Sequence, residues 1–475
     1  MNIDEHIPTE IIQTFSASEA STYHLIPYAK DGRAIACYGE EGRDYAATLN
    51  EVEVIYGIDL TVLPIAKDEF DKGMNLYYRQ GKNPTAGSGI NISRINHSDF
   101  VNALIAEADS IRSSDIHLEP YERKCRVRMR IDGKLIERYI IQKADFPALV
   151  NRIKIVSNLD ISEKRLPQDG RILFERDGRK FDVRVSILPT IYGEKIVMRL
   201  LTREQNLLEI ANLGFSPRQY EDYLLSVRSP NGLVLISGPT GSGKSTTLYA
   251  TLRHLNREDN NILTIEDPVE YTLPGINQVQ LKEEIGLTFG NALRTFLRQD
   301  PDIIMLGEIR DTDTAQMAIR SSLTGHLLLS TIHTNSAWGS VTRLMDMGMQ
   351  SYLIADTLVA CVAQRLVRLL CPHCKQETKL DAKSCRALGI DTGATYYKAV
   401  GCDRCYYTGY SGRKAIYEVI RMDATLAEAI RRGETEMDDH FRQRGISSLK
   451  DSALHLLRQG DTSFEEVFLV ANGLM

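Results

Sequence analysis

One run of nine residues, Gly238–Thr246, limits what this chain can fold into more than any other feature. It matches the spacing G-x-x-x-x-G-K-[ST], with the apolar run Leu233–Ile236 before it and a helical pattern over 247–252 after it. A glycine-rich loop between a strand and a helix turns its backbone N–H groups toward phosphate oxygens. A chance glycine-rich turn before a helix is the alternative. We expect a nucleoside triphosphate site, with ATP as the ligand, formed by Gly238, Pro239, Thr240, Gly241, Ser242, Gly243, Lys244, Ser245 and Thr246.

Short apolar runs alternate with helical patterns on both sides of this loop. Each run is about the length of a buried strand, and the helical stretches between them are long enough for crossover connections. This alternation predicts an α/β fold with a parallel sheet. The runs are Leu233–Ile236, Ile262–Ile265, Ile303–Leu306 and Leu327–Leu329.

Two of these predicted strands end in carboxylates. Ligands in such sheets lie outside the carboxyl ends of the strands, so these acids are expected to face the bound phosphates. A phosphohydrolase needs one carboxylate near Mg²⁺ and another that orients or deprotonates water. We assign Glu308 to the water shell of Mg²⁺ and Glu270 to the attacking water, with Glu266 as the substitute for Glu270. Lys244 is expected to reach the β- and γ-phosphates and Ser245 to bind Mg²⁺. Solvated strand ends are the alternative interpretation of the acids.

Two histidines bracket the apolar run at 327–332. His326 precedes the run and His333 follows it, so on one strand they point to opposite faces or opposite ends. Most lone histidines are structural or lie on the surface. A histidine at the carboxyl end of this strand, however, is placed to contact a γ-phosphate. We therefore include His333 among the candidate catalytic residues and leave the structural interpretation open.

Composition excludes several classes of protein. The chain has 475 residues, 43% of them hydrophobic and 25% charged, which excludes collagen, coiled coils and disulfide miniproteins. Its formal net charge of −6 argues against wholesale nucleic-acid binding. Basic residues are frequent at 123–138, but they alternate with Val127, Met129 and Ile131, which favours a solvated strand face. We therefore expect no nucleic-acid partner.

The sequence carries no sign of a targeting or membrane-spanning segment. The first six residues, 1–6, are acidic rather than basic, unlike a signal peptide. The apolar stretch Ser351–Leu370 is interrupted by Asp356 and by arginines, so it does not qualify as a membrane span. We expect a cytoplasmic protein that associates with a membrane only through a partner.

The chain is long enough for about three domains. We predict a small N-terminal domain at 1–80, in which Thr48–Tyr56 and Leu60–Ile65 are β-rich, and a Gly- and Pro-rich linker at 81–98. A second, α+β domain is expected at 99–204. The nucleotide-binding domain follows at 205–475 and includes a cysteine module at 368–408 and charged C-terminal helices.

Four of the eight cysteines form two Cys-x-x-Cys pairs, Cys371 with Cys374 and Cys402 with Cys405. Two such pairs supply four thiolates, the preferred set for tetrahedral Zn²⁺, and leave no open position for catalysis. We predict a structural zinc site, with an iron–sulfur cluster or unligated thiols as the alternatives. The remaining four have no regular spacing and are expected to be buried thiols: Cys37, Cys125, Cys361 and Cys385.

Taken together, these segments resemble the secretion ATPases of type II secretion and type IV pilus systems. In that family they correspond to the Walker A, Asp box, Walker B and His box motifs, in this order, and three upstream segments also match. The resemblance implies a RecA-like ATPase core preceded by a PAS-like α+β domain. The matching segments are 114–120, 167–171, 193–199, 238–246, 264–270, 306–311 and 324–334.

The resemblance also implies an assembly and partners. Family members form rings, usually homo-hexamers, in which the second N-terminal domain supplies arginines to the nucleotide. By motif position these are Arg171, Arg184 and Arg199. Without the resemblance, an ordinary solvent-facing strand position is the preferred interpretation of Arg184 and Arg199. Residues 1–80 resemble the domain of type II secretion ATPases that docks on the cytoplasmic domain of an inner-membrane protein. The resemblance implies a second partner, a polytopic membrane platform protein. We therefore predict an ATPase that powers type II secretion. Pilus extension, a nucleic-acid translocase and a nucleotide-gated scaffold are the alternatives.

Overall fold

The computed structural model describes residues 7–12, 14–15, 17–46, 48–49, 52, 59–78, 97–176, 179–201 and 209–473. The chain forms two compact units. One contains residues 1–203 together with 401–408, and the other contains residues 204–400 together with 409–475. The predicted linker at 81–98 lies outside the described residues except for its last two.

The first unit begins with a three-stranded sheet and short helices. β1 and β2 pair antiparallel, and β2 and β3 pair parallel. Their apolar residues pack with those of the helices into a core of their own, which includes Phe15, Ile35 and Phe70. The elements are α1 (Thr9–Ile12), α2 (Ala17–Tyr23), β1 (Leu25–Asp31), β2 (Ala34–Glu40), β3 (Asp59–Ile65) and α3 (Lys67–Tyr77).

One of the two β-rich runs predicted in this region is confirmed. Leu60–Ile65 lies within β3. The prediction for Thr48–Tyr56 is wrong where the structure describes it, because Thr48, Leu49 and Val52 are helical. The β-branched residues of that run favour a strand locally, but Val52 is buried in the core of this region as a helical residue.

A six-stranded antiparallel sheet makes up most of the remainder of the first unit, in the order β6-β5-β4-β9-β8-β7. Leu104 and Ile105 of the helix at His97–Ser110 belong to the core against this sheet, and the alternation of basic and apolar residues in Cys125–Ile131 is confirmed. The elements are α4 (His97–Ser110), β4 (Ser113–Pro120), β5 (Lys124–Ile131), β6 (Lys134–Gln142), α5 (Phe146–Val156), β7 (Gln168–Arg176), β8 (Arg179–Thr190) and β9 (Gly193–Leu201).

The turn between β5 and β6 follows from two residues. Asp132 and Gly133 have φ angles of 46° and 85°, the left-handed pair that a tight hairpin turn requires. The sequence suggested that the arginines of β5 lie on a solvated strand face, but two of them form ion pairs. Arg126 and Arg128 both bind the carboxylate of the buried Glu119, at distances of 3.1 and 2.8 Å.

The second unit contains a seven-stranded sheet in the order β12-β11-β13-β14-β10-β15-β18. Its first six strands are mutually parallel, and β18 runs antiparallel to β15. All four predicted buried strands are present, as β10, β11, β13 and β14. β16 and β17 pair with each other, antiparallel, outside this sheet. The strands of the unit are β10 (Gly232–Ser237), β11 (Ile262–Glu266), β12 (Asn277–Gln280), β13 (Ile303–Leu306), β14 (Leu327–Ile332), β15 (Leu358–Leu370), β16 (Gln376–Thr378), β17 (Tyr396–Lys398) and β18 (Tyr410–Arg421).

Helices cover both faces of this sheet, so every central strand is buried on two sides. In β10, Leu233 and Leu235 contribute to one core, while Val234 and Ile236 contribute to the core on the opposite face. The helices are α6 (Pro217–Val227), α7 (Lys244–Leu255), α8 (Phe289–Phe296), α9 (Thr312–Leu323), α10 (Gly339–Asp346), α11 (Ser351–Thr357), α12 (Ala382–Leu388), α13 (Ala424–Arg431), α14 (Asp438–Gln443), α15 (Leu449–Gln459) and α16 (Phe464–Ala471).

Several of these helices begin at a polar capping residue. The side chains of Ser216, Asp311, Asp423 and Ser448 each accept a hydrogen bond from a backbone N–H of the first turn. Such caps satisfy donors that have no partner inside the helix. Across the described ranges, no helix has both the length and the apolar content required to cross a bilayer.

Candidate active site

The predicted phosphate loop connects β10 to α7. Gly238 and Gly243 have φ angles of 149° and 88°, which residues other than glycine rarely adopt. A Cβ atom at Gly238 would lie 2.6 Å from the carbonyl oxygen of Gln364. Both the conformation and the close packing of the loop therefore require glycine, as the motif predicts.

Two polar groups of the loop are prepared for an anionic ligand. The Nζ atom of Lys244 donates to the carbonyl oxygens of Gly238 and Pro239, at 2.7 and 3.0 Å. Burial lowers the pKa of Lys244 to about 8, against the opposing effect of Glu308. The Oγ atom of Ser242 is buried and has no hydrogen-bond partner among the described residues. An unsatisfied buried hydroxyl and a partly desolvated ammonium both suit phosphate oxygens.

Glu308 and His333 follow the carboxyl ends of β13 and β14, which are adjacent in the sheet. The Nε2 atom of His333 lies 3.5 Å from Oε2 of Glu308. Arg310 contacts the other carboxylate oxygen. Since β14 is also the neighbour of β10, these groups stand beside the phosphate loop. His326 lies before the opposite end of β14, where its ring bonds the carbonyl of Ser321 at 2.9 Å.

The two candidate water-activating carboxylates are in different environments. Glu266 is 4% exposed, and its oxygens accept hydrogen bonds from Thr264 (2.6 Å), Gln278 (3.0 Å) and Tyr249. Three protein donors therefore occupy this carboxylate. Glu270 lies in the loop beyond β11, half-buried. Which of the two carboxylates activates water stays a prediction.

Two residues of β15 also form part of the site, although sequence analysis did not identify them as functional. Gln364 and Arg365 are 2% and 3% exposed. Gln364 accepts a hydrogen bond from Thr247 of α7 at 2.8 Å, and Arg365 donates to the carbonyl oxygens of Gln364 and Asn335 at 3.0 and 3.3 Å. Their only sequence signal is a polar pair inside an apolar strand-length run.

The three predicted arginines lie in the first unit, directly abreast. Arg184 of β8 is opposite Arg171 of β7 on one side and Arg199 of β9 on the other. Arg171 donates to Asp182 (3.2 Å), and Arg199 donates to Asp115 (2.9 Å). Opposed residues share one face of a sheet, so the three guanidinium-bearing side chains start from one row. Their role toward a nucleotide stays a prediction.

The four predicted zinc ligands form one compact group. Their sulfur atoms all lie within 4.8 Å of one another. Four sulfurs placed tetrahedrally at the usual Zn–S distance are roughly 3.8 Å apart, and the sulfurs of Cys402 and Cys405 are 3.8 Å apart. The backbone N–H of Cys402 donates to the sulfur of Cys405 at 3.2 Å. These residues fit a single tetrahedral ion such as Zn²⁺. Cys37, Cys125, Cys361 and Cys385 are buried free thiols, as predicted.

A strand, phosphate loop and helix beside acids on adjacent parallel strands define a P-loop nucleotide-binding protein. The fold resembles two solved structures. The pilus retraction motor PilT with bound ADP is 24% identical and has a TM-score of 0.54 over 78% of this chain and 96% of that chain. The ATPase DotB of Legionella pneumophila is 20% identical, with a TM-score of 0.59 over 79% and 96%. At this identity the likeness concerns the fold.

Sequence comparison identifies the family. Residues 94–469 match the model described as "Type II/IV secretion system protein", so the chain belongs to this family. Type II secretion system protein E of Pseudomonas aeruginosa is 46% identical over 78% of this chain and 74% of its own length. The protein of the same name from Dickeya dadantii is 40% identical over 90% of both chains. The type IV pilus assembly ATPase PilB of Thermus thermophilus is 46% identical over 78% of this chain and 42% of its own.

These comparisons confirm the family resemblance seen in the motifs. They also confirm the predicted function at the level of the family, a secretion ATPase whose relatives include type II secretion and pilus proteins. The α/β fold with a largely parallel sheet is confirmed as well.

Proposed function

We propose that this protein is a subunit of a homo-hexameric ATPase that hydrolyses ATP to drive pseudopilus assembly and protein export by a type II secretion system. The catalytic part of this proposal rests on Lys244, at the start of α7, and on Glu308 and His333, which follow the ends of adjacent parallel strands. A cation and a carboxylate beside one phosphate loop are the minimum for metal-assisted phosphoryl transfer. The family membership supports the coupling to secretion.

ATP binds through its phosphates. The backbone N–H groups of Gly238–Thr246 and the unsatisfied hydroxyl of Ser242 surround the β-phosphate, and Lys244 exchanges the loop carbonyls for β- and γ-phosphate oxygens. Ser245 would hold Mg²⁺ directly and Glu308 would hold it through water. When bound, the ion neutralises charge that develops on the phosphates.

Hydrolysis follows from the positions of two further side chains. Glu270 orients a water molecule and accepts its proton as the oxygen attacks the γ-phosphorus. The bond between the γ-phosphorus and the bridging oxygen breaks, which leaves ADP and phosphate. His333, beside Glu308, contacts the γ-phosphate and distinguishes ATP from ADP. The carboxylate of Glu266, which already accepts three hydrogen bonds, supports the loop and takes no part in the chemistry.

The row of Arg171, Arg184 and Arg199 supplies positive charge to the nucleotide in the assembled ring. Like charges directly opposite one another destabilise a sheet, so such a row needs compensation. Asp182 and Asp115 pair with the two outer arginines. Closure of this domain over ATP and its release after hydrolysis constitute the power stroke.

Residues 1–80 dock on the cytoplasmic domain of an inner-membrane protein, and the ring acts on a polytopic platform protein. The protein is accordingly cytoplasmic, peripheral at the inner membrane through these partners. The match over 90% of a type II secretion protein from Dickeya dadantii, which includes part of this region, favours type II secretion. Pilus extension is the second candidate, because PilB of Thermus thermophilus and protein E of Pseudomonas aeruginosa are both 46% identical to this chain over 78% of its length.

Nucleotide binding and hydrolysis by the purified full chain test the catalytic part. Lys244→Ala is expected to lose ADP and ATP binding, whereas Glu270→Gln is expected to bind ATP and lose turnover. Unchanged binding by Lys244→Ala contradicts the site. Stimulation of turnover by single-stranded DNA, without stimulation by inner-membrane partners, would favour a nucleic-acid translocase instead.

The branch of the family is tested in cells that lack their own copy of the gene. We expect the intact chain, but neither variant, to restore export of a secreted enzyme. Restoration of surface pili without export would assign the protein to pilus extension. Capture of inner-membrane proteins by the full chain, and its loss on deletion of residues 1–78, tests the docking role of the first domain.

A further inference from the structure

A tyrosine hydroxyl connects the phosphate-binding helix to the loop that carries Glu270. Tyr249 belongs to α7, about one and a half turns beyond Lys244, and its side chain is 1% exposed. Its hydroxyl donates to the carboxylate of Glu266. The same oxygen accepts a hydrogen bond from the backbone N–H of Glu270 at 3.1 Å.

This hydroxyl can make both bonds at once because it has one proton to donate and lone pairs to accept. One oxygen of the Glu266 carboxylate accepts the donated proton and so fixes its direction. Thr264 and Gln278 donate to the other oxygen, which Gln278 still occupies when Thr264 is replaced. The lone pairs of the tyrosine oxygen are thereby directed at the Glu270 amide. Burial, and next the proximity of Glu266, raise the pKa of Tyr249, which keeps the hydroxyl protonated.

The ring of Tyr249 is held as firmly as its hydroxyl. It packs edge-to-face on Tyr271, the residue after Glu270, with ring centroids 4.5 Å apart and planes at 75°. The Glu270–Tyr271 segment is thus attached to α7 twice, once through a backbone hydrogen bond and once through aromatic packing. Both contacts lie on the helix that begins at the phosphate loop.

We propose that Tyr249 is a positioning residue that sets the backbone of Glu270 relative to the bound triphosphate. This inference rests on the proposed role of Glu270. A carboxylate on a loop is only as well placed as its backbone, and a displacement of about 1 Å can cost 10²-fold in rate. Attachment to α7 makes the reference point of Glu270 the phosphate-binding helix itself, so water and γ-phosphate stay in line.

A purely structural role is the competing interpretation, since Tyr249 also satisfies the buried Glu266. The chain offers two matched controls for it. Tyr223 of α6 is a second buried tyrosine, and its hydroxyl bonds Thr251 of α7 at 2.6 Å. Thr264 bonds the same Glu266 carboxylate as Tyr249. Tyr223→Phe and Thr264→Val therefore remove comparable hydrogen bonds without releasing the Glu270 amide.

The experiment compares Tyr249→Phe with these controls in the full chain. We expect Tyr249→Phe to lower kcat about tenfold or more, with KM for ATP and the Kd for ADP within about twofold of the parent. Both controls should keep kcat within about twofold. Hydrogen exchange followed by mass spectrometry should show faster exchange at the Glu270 amide in Tyr249→Phe alone, a readout that does not depend on activity.

Three outcomes overturn the inference: unchanged kcat in Tyr249→Phe, an equal loss in Thr264→Val, or unchanged exchange at Glu270. Coupling supplies a further test, because Tyr249→Phe should cost less in a Glu270→Asp background than in the parent, and fully independent losses contradict the inference. Normal turnover by Glu270→Gln would refute the proposed role of Glu270 itself. Normal turnover by Tyr249→Phe, with Glu270→Gln inactive, would refute only the positioning role.

Discussion

The imidazole of His333 and the carboxylate of Glu308 are neighbours, with Nε2 and Oε2 separated by 3.5 Å. Glu308 follows β13 and His333 follows β14, which are adjacent parallel strands. β14 also adjoins β10, the strand that leads into the phosphate loop. In the proposed site, this histidine would contact the phosphate farthest from the loop. Its contribution should therefore depend on the presence of the γ-phosphate.

We predict that His333→Ala weakens binding of a non-hydrolysable ATP analogue about tenfold, or about 1.4 kcal/mol, and leaves ADP binding within about twofold. Calorimetric titration of both nucleotides measures the difference. His326→Ala is the matched control, because His326 precedes the opposite end of the same strand, and it should change neither affinity. An equal loss for ATP analogue and ADP would contradict the role of His333.

The two carboxylates near β11 should respond in opposite ways to the same substitution. Glu270→Gln is expected to lower turnover about 100-fold or more and to leave the unfolding midpoint unchanged. Glu266→Gln replaces an acceptor by an amide inside a network of three donors, so it should lower the free energy of unfolding by about 2 kcal/mol. Steady-state rates and denaturant unfolding measure the pair, and the reverse assignment of the two effects would make Glu266 the water-activating residue.

Metal content tests the cysteine group. We expect about one zinc per chain in purified protein and less than about 0.2 in Cys402→Ser, because loss of one thiolate leaves an incomplete tetrahedral set. Elemental analysis measures both. The segment that carries the cysteines should then become more sensitive to protease. Cys385→Ser, a buried thiol outside the group, should keep its zinc. Full zinc in Cys402→Ser would reject the site.

Acid stability tests the ion pairs of the first unit. Burial alone would raise the pKa of Glu119, but hydrogen bonds from Arg128 and Arg126 outweigh it and lower the pKa to about 2, from 4.5 for the free group. A carboxyl with a depressed folded pKa stabilises the protein above the unfolded value and loses that effect as the pH falls. Up to about 3 kcal/mol should therefore disappear between about pH 4.5 and pH 2.

Urea unfolding at several pH values measures this loss. Glu119→Gln should destabilise the protein near neutral pH and flatten the dependence below pH 4.5. Glu122→Gln, which changes an exposed acid close by in the sequence, controls for the loss of one charge. An unaltered acid profile in Glu119→Gln would contradict the assignment.

Prediction from the sequence succeeded where one local pattern determines the structure. The run Gly238–Thr246 and the apolar strands around it specify loop, helix and buried parallel sheet, because glycine conformations and continuous burial leave few alternatives. It failed at Thr48, Leu49 and Val52, which are helical although the run around them favours a strand by local propensity. It also left Glu266 and Glu270 unresolved, because the spacing of acids does not tell which carboxylate finds hydrogen-bond donors.

The amino-acid sequence by itself determined the kind of site, the class of fold and the family, since each follows from residues close together along the chain. Only the tertiary structure decided that Gln364 and Arg365 lie against the phosphate loop, that Arg171, Arg184 and Arg199 form one row, and that Tyr249 holds the Glu270 amide. Those relationships join residues from different strands and helices. Strand order, register and the direction of each side chain create them, and none of these is encoded in local spacing.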